Sequence, residues 1–104
     1  MVRFGAFEFD AVSRRLRRDD IDIHLTPKGF DLLGLLVDAA PRVVAKRELH
    51  DRLWPGGAVA DATLVALVKQ LRRALDDHDR ESRLIRTVHG VGYALESPLT
   101  RRER

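Results

Sequence analysis

The sequence contains no cysteine, which excludes a disulfide framework and thiolate metal sites. No apolar run approaches the ~20 residues of a membrane span, and the N-terminus lacks the apolar core of a signal peptide. The four histidines, at positions 24, 50, 78 and 89, share no metal-ligand spacing, and no nucleophile adjoins one of them in sequence. These absences fit a protein of the reducing cytoplasm and argue against an enzyme, a bound metal and a cofactor.

Length and composition are typical of one small globular domain. The chain has 104 residues, of which 44% are hydrophobic and 34% are charged, so it can bury a modest core and is not disordered. The net charge of +3 and the isoelectric point of about 9.9 are compatible with nucleic acid but do not require it. A binding surface must therefore come from local clustering of charge.

The most informative stretch is residues 61–77, DATLVALVKQLRRALDD, which has helical periodicity. One narrow stripe is apolar and comprises Leu64, Val68, Leu71 and Leu75. The opposite face carries Ala62, Thr63, Ala66, Lys69, Gln70 and Arg73. Asp61 is the predicted N-cap. Such a helix suits a DNA major groove, although Lys and Arg are also common on any solvated helix.

The N-terminal region is predicted to form a small antiparallel sheet. Residues 2–9 read as a strand with a bulge or bend at Gly5, residues 14–18 as a second strand and residues 21–25 as a third with alternating apolar side chains. The four arginines in RRLRR are either a phosphate site or a solvated edge that discourages further strand pairing.

Two more helices and a hairpin complete the predicted order. Thr26 and Pro27 begin a helix that Pro41 ends, and residues 46–54 form a second helix. Residues 55–60 are a loop. The Gly-containing connection between residues 84–88 and 93–95 predicts a hairpin.

This order predicts an α+β winged helix: an N-terminal antiparallel β-sheet, three helices and a C-terminal hairpin, the wing. The predicted domain covers residues 1–97, and residues 98–104 are expected to be a disordered basic tail. In this arrangement helix 61–77 enters the major groove, and wing 84–96 reaches the backbone or minor groove.

Four motifs resemble the OmpR/PhoB-type effector domain of bacterial transcription regulators. In chain order they are FGAFEFD, LTPKGFDLLGLLVDAAPRVVAKRELHDRLWP, LRRAL and IRTVHGVGYAL. The resemblance implies sequence-specific binding of promoter double-stranded DNA at direct repeats, by a dimer or tandem assembly whose free form is a monomer or weak dimer. It also implies a cytoplasmic, nucleoid-associated regulator of the two-component or one-component kind, membrane-anchored in some members. No receiver or sensor is recognisable in these residues.

The resemblance also carries roles onto individual positions. On the third helix the family's DNA-contacting positions fall on Ala62, Thr63, Leu67, Lys69, Gln70 and Arg72, and on the wing they fall on Thr87, His89 and Tyr93. The family's RNA polymerase-contact loop corresponds to Pro55, Gly56, Gly57, Ala58, Val59 and Ala60.

The residue types refine these roles. Gln70 is the predicted base reader, because its amide can pair with adenine. Lys69, Arg72 and Arg73 are predicted phosphate contacts, and Arg72 alternatively pairs with an acid inside the fold. Arg86 is a further predicted DNA contact on the wing.

The sequence departs from the family pattern at four places. Gly29 and Ala45 replace residues that cap helices, which bears on stability. His89 stands where the family often has Arg. Early positions of the third helix that are polar in the family are occupied here by Ala62, Val65 and Leu67, which bears on sequence-specific readout.

A different class of function fits some of the same residues. A winged helix that no longer reads DNA could serve as a protein-interaction module. The exposed apolar surface for it would comprise Ala62, Val65, Ala66, Leu67 and Val91. Salt dependence of binding separates the two hypotheses, since only phosphate contacts release counterions.

Overall fold

A computed structural model describes residues 1–57, 59–79 and 83–102 and shows the predicted α+β winged helix. No helix in these ranges has the length and apolarity to cross a bilayer. The elements within them, in chain order, are β1 (Val2–Phe4), β2 (Phe7–Asp10), β3 (Arg15–Arg18), β4 (Ile21–Asp22), α1 (Pro27–Ala39), β5 (Val44–Ala45), α2 (Lys46–Leu53), α3 (Asp61–Ala74), β6 (Ile85–Val88), β7 (Gly92–Leu95) and β8 (Leu99–Arg101).

The N-terminal sheet has the strand order β4-β3-β2-β1-β8. The single strand predicted over residues 2–9 is in fact β1 and β2, because Gly5, at φ +54°, turns the chain back on itself. The predicted third strand pairs only at Ile21 and Asp22. Ile21 is 69% exposed, so the alternating apolar pattern does not bury its side chain. Short edge strands of this kind leave one side uncovered, and alternation alone does not reveal it.

The expectation of a disordered tail over residues 98–104 is wrong for β8. Leu99 and Arg101 pair with Phe4 and Val2 of β1, and an Arg101 side-chain nitrogen donates to the Val37 carbonyl oxygen at 3.0 Å. Composition alone could not reveal this, because the pairing depends on the open edge of β1. Residues 103–104 of the predicted tail lie outside the described residues.

The three helices enclose the core largely as predicted. The Thr26 hydroxyl accepts a hydrogen bond from the Gly29 N–H at 3.1 Å and caps α1. At α2, the N-cap residue Ala45 makes no side-chain capping hydrogen bond, as the sequence predicted. The α3 N-cap is Ala60 rather than Asp61, and α3 ends at Ala74, before the predicted residue 77. The predicted apolar stripe is confirmed by the buried side chains of Leu64, Val68, Leu71 and Leu75.

The wing is part of a second sheet with the order β5-β7-β6. Strand β5 was not predicted, and it pairs Val44 with Tyr93 and Ala45 with Gly92. A Cβ placed on Gly92 would lie 1.9 Å from the Val44 carbonyl oxygen, so this position requires glycine. The sheet thereby joins the start of α2 to the wing.

Candidate nucleic-acid interface

One face of α3 is open to solvent along its whole length. Its exposed side chains are Ala62, Thr63, Val65, Ala66, Lys69, Gln70 and Arg73. Leu67 is only 7% exposed and belongs to the core, so its predicted outward position is wrong. The reason is that the buried stripe of α3 is broader than the four predicted positions and also includes Leu67, at the edge of the stripe.

Lys69 and Arg73 are the unneutralised cations of this face. They lie four residues apart, one helical turn, and both are exposed. Among the described residues, neither side chain has a hydrogen bond or ion pair. Gln70 adjoins Lys69 and is also exposed. The face therefore presents two free positive charges and one amide.

Arg72 lies at the contact between the last turn of α3 and strand β6 of the wing, which is called the joint below. Its Nε and Nη2 donate to the Ile85 carbonyl oxygen at 3.2 and 2.7 Å, and Nη2 also donates to Thr87 Oγ1 at 2.7 Å. Burial lowers the pKa of the Arg72 guanidinium, and the charge of Arg83 lowers it further. The suspected internal partner was an acid, whereas the partners found are a carbonyl and a hydroxyl. Arg72 and Thr87 thus contact each other instead of standing free for DNA.

Asp77 holds the other side of this joint, and sequence reasoning missed it. Its carboxylate is 6% exposed and accepts hydrogen bonds from the Leu84 N–H at 2.9 Å and the Ile85 N–H at 3.0 Å. The sequence predicted Asp76 and Asp77 as the last residues of helix 61–77 and gave neither of them an inward-facing role. The missed signal is weak, since only the strand that follows shows which aspartate faces inward.

Among the predicted wing contacts, only His89 is exposed and without a partner in the described part of the chain. His89 is exposed at the turn between β6 and β7. Arg86 is exposed but its Nε pairs with Glu96 Oε1 across the hairpin. Tyr93 is only 5% exposed, which contradicts its prediction as a surface contact, because strand β7 turns it into the core. Val91, 50% exposed, lies at the tip.

The connection between α2 and α3 is held by a polar contact. His50 Nε2 lies 3.1 Å from Asp61 Oδ1 and thus links the middle of α2 to the first residue of α3. In the loop predicted to contact RNA polymerase, Pro55, Gly56, Gly57 and Ala60 are exposed and Val59 is half-buried. Ala58 lies outside the described residues.

The second basic cluster, on and beside β3, is neutralised by acids. Arg14 pairs with Asp31 at 3.0 Å, Arg15 and Arg17 pair with Asp22 at 3.8 and 3.3 Å, and Arg18 pairs with Asp76 at 3.9 Å. The guanidinium of Arg14 also lies 4.5 Å from the centre of the Phe30 ring. This cluster fits the solvated-edge interpretation better than the phosphate-site interpretation.

The sequence profile of one protein family, described as "Transcriptional regulatory protein, C terminal", matches residues 20–95. The chain belongs to this family. The resemblance to the OmpR/PhoB-type effector domain is thereby confirmed, and the family is one of transcription regulators rather than of enzymes.

Curated relatives of this OmpR/PhoB-type domain are longer regulators. PhoB of Rhizobium meliloti is 35% identical over 98 residues, which are 93% of this chain and 43% of PhoB. PrrA of Mycobacterium leprae is 34% identical over 95 residues, 90% of this chain and 40% of PrrA. Transcriptional regulator HilA of Salmonella typhi is 33% identical over 84 residues, 81% of this chain and 15% of HilA. The chain thus spans less than half the length of each.

Two solved structures place the fold among DNA-binding domains. The DNA-binding domain of E. coli CadC matches with a TM-score of 0.81 and 28% identity, over 95% of this chain and 94% of the CadC chain. The Klebsiella pneumoniae RstA DNA-binding domain, solved in complex with the RstA box, matches with a TM-score of 0.79 and 25% identity, over 89% and 93%.

Proposed function

We propose that this domain binds double-stranded promoter DNA with sequence preference, as the effector domain of a transcriptional regulator. Helix α3 lies in the major groove, and the wing, residues 84–96, lies on the backbone or in the minor groove. The observation that carries the proposal is the exposed α3 face on which Lys69 and Arg73 have no partner among the described residues. The RstA domain, the same fold, is described in complex with its DNA box.

The fold supports α3 as a rigid reading element. A major groove about 12 Å wide admits one helix. The apolar stripe of α3 packs into the core, Arg72 ties its last turn to β6, and Asp61 contacts His50 of α2. Because α3 is held at both ends, its outward side chains keep a defined geometry toward the duplex.

The exposed residues of α3 have different roles in DNA binding, which follow from their side-chain chemistry. Gln70 reads a base, since an amide can donate to and accept from adenine. Lys69 and Arg73 contact phosphates, which raises affinity for every sequence. Thr63 and His89, both exposed and with no side-chain partner in the described ranges, are the remaining candidates on α3 and the wing.

Assembly and partners follow from the same proposal. One small domain makes few contacts, so we expect binding to adjacent direct repeats as a dimer or tandem pair. The loop at residues 55–60, exposed at Pro55, Gly56, Gly57 and Ala60, is the proposed contact with RNA polymerase. A regulator that works in this way acts in the cytoplasm, at the nucleoid.

A salt titration tests the proposal. The domain is titrated against a fluorescent duplex of mixed sequence at several salt concentrations, and log affinity is plotted against log salt. We expect a steep linear fall, because each neutralised phosphate contributes a slope of about −0.9. Affinity that does not change with salt, or no duplex binding at low salt, contradicts the proposal.

A protein-interaction module is the second candidate. Val65, 41% exposed, and Val91, 50% exposed, are the observation that favours it, because a contiguous apolar surface patch marks a contact site. Such a module would bind its partner with weak salt dependence. The same titration therefore separates the two functions.

A further inference from the structure

The exposed face of α3 changes character along its axis. Its N-terminal half presents apolar side chains, those of Ala62, Val65 and Ala66. Val65 is 41% exposed and is the largest of the three. The C-terminal half presents Lys69 and Arg73 together with Gln70. The two halves thus suit two different surfaces of one partner.

The polar group at the start of α3 does not cancel this apolar character. Asp61 is exposed, but its Oδ1 lies 3.1 Å from His50 Nε2, which holds the carboxylate toward α2. Thr63 adds a methyl group as well as a hydroxyl to the same half. The outward surface of the first two turns is therefore mainly aliphatic.

Duplex DNA presents both an apolar group, on base edges in the major groove, and negative charge, on its phosphates. In a helix-turn-helix domain the N-terminal residues of the second helix contact base edges, and in the consecutive pair α2 and α3 that second helix is α3. The apolar group on a base edge in the major groove is the C5-methyl of thymine. From Ala62 to Ala66 the helix rises about 6 Å, close to two base-pair steps of about 3.4 Å. The adjacent free cations, Lys69 and Arg73, favour a polyanion over an apolar protein surface.

We propose that Ala62, Val65 and Ala66 read the methyl groups of thymines at one or two adjacent base pairs. The inference rests on the proposed function and adds the sequence class that the domain prefers. Burying one methyl group contributes about 0.8 kcal/mol, so each contacted thymine raises affinity about fourfold. Target half-sites therefore contain thymine at the positions that face the first two turns of α3.

Substitution of deoxyuridine for thymidine tests the inference, because it removes only the methyl group. A preferred duplex is first selected from a random-sequence library with the wild-type domain. Each thymidine is then replaced singly, and dissociation constants are measured at fixed salt. We expect about a fourfold loss at one or two adjacent thymidines and no change at the others.

Protein variants test whether Ala62, Val65 and Ala66, the apolar patch of α3, cause the methyl effect. In Val65→Ser the affinity ratio between thymidine and deoxyuridine duplexes should fall toward one, with salt dependence retained. Ala66→Ser provides a second variant should the first fail to fold. Val12→Ser is the matched control, since Val12 is 97% exposed in the turn that follows β2 and is not part of α3, and its ratio should stay near four.

Each other outcome has a definite meaning. Equal affinity for thymidine and deoxyuridine duplexes, or a preferred site without thymine, overturns the inference while salt-dependent binding leaves the proposed function intact. A methyl effect that persists in both Val65→Ser and Ala66→Ser overturns the assignment to this patch. No salt-dependent binding to any duplex overturns the proposed function, and the inference with it.

Discussion

Two basic regions of this domain look alike in sequence and differ in structure. The segment around β3, RRLRR, is the densest run of arginine in the chain, whereas α3 carries its cations at helical spacing. Around β3 every arginine has an acidic partner, whereas Lys69 and Arg73 on α3 have none among the described residues. The region with fewer cations is therefore the one that presents free charge.

The difference teaches that neutralisation, not the number of arginines, decides which basic surface can attract phosphate. Exposed ion pairs contribute only about 0–1 kcal/mol to stability, so the acids beside β3 add little to folding. They do cancel the field of that surface. Arg72 shows a third condition, because its donors are engaged by the backbone and by Thr87.

The largest expected effect comes from removing the free charges of α3. In Lys69→Ala/Arg73→Ala we expect the negative slope of log affinity against log salt to become shallower by about 1.8, because two phosphate contacts are lost, and affinity near 0.1 M salt to fall roughly sixtyfold. Fluorescence anisotropy with a labelled duplex measures both. The comparison is Arg15→Ala/Arg18→Ala, which removes the same charge from β3.

The control variant should keep nearly the wild-type slope, since its arginines are already paired with acids. Equal losses in the two double variants would show that net charge alone matters. That outcome would remove the distinction between the two basic regions.

Arg72 sharpens the comparison, because it is a cation used within the fold. Arg72→Ala should lower the free energy of unfolding by about 1–3 kcal/mol, since the hydrogen bonds to Ile85 and Thr87 are lost. Urea denaturation measures this change. The adjacent Arg73→Ala is the control and should leave stability within about 0.5 kcal/mol of wild type. Unchanged stability in Arg72→Ala would contradict the role as a joint.

Gln70 tests whether α3 reads bases as well as phosphates. Gln70→Ala should lower discrimination among sequences by up to about 1–3 kcal/mol, the value of one good bidentate contact. Lys69→Ala should instead weaken all sequences alike. Competition binding with single-base variants of a preferred duplex measures both. A uniform loss in Gln70→Ala would make Gln70 another affinity residue without a role in base reading.

The sequence predicted the order of helices, the wing and the leucine stripe of α3, because these depend on local periodicity, caps and glycine-containing turns. It missed β5 and β8, because both strands are set by partners far away in the chain. The burial of Leu67, Asp77 and Tyr93 was missed for a related reason, since it depends on tertiary packing that local periodicity does not specify.

The exposed α3 face was predicted more fully than the individual contacts. Lys69, Gln70 and Arg73 could be placed on it from periodicity alone. The engagement of Arg72 by the wing could not be identified in this way, because its partners are a distant carbonyl oxygen and a distant hydroxyl. The neutralisation of the RRLRR arginines likewise could not be predicted, because their acidic partners lie on α1, on β4 and in the turn after α3.

The smallest expected effect comes from releasing charge near β3. Asp22 pairs with Arg15 and Arg17, whereas Asp38 on α1 has no ion pair among the described residues. Asp22→Asn should raise affinity for mixed-sequence DNA a few-fold and steepen its salt slope, because two guanidinium groups become free to meet phosphates. Asp38→Asn changes net charge equally but frees no arginine. If both variants gain DNA affinity equally, ion pairing with acids is not what keeps the β3 arginines from binding phosphate. The difference between β3 and α3 would then have another cause.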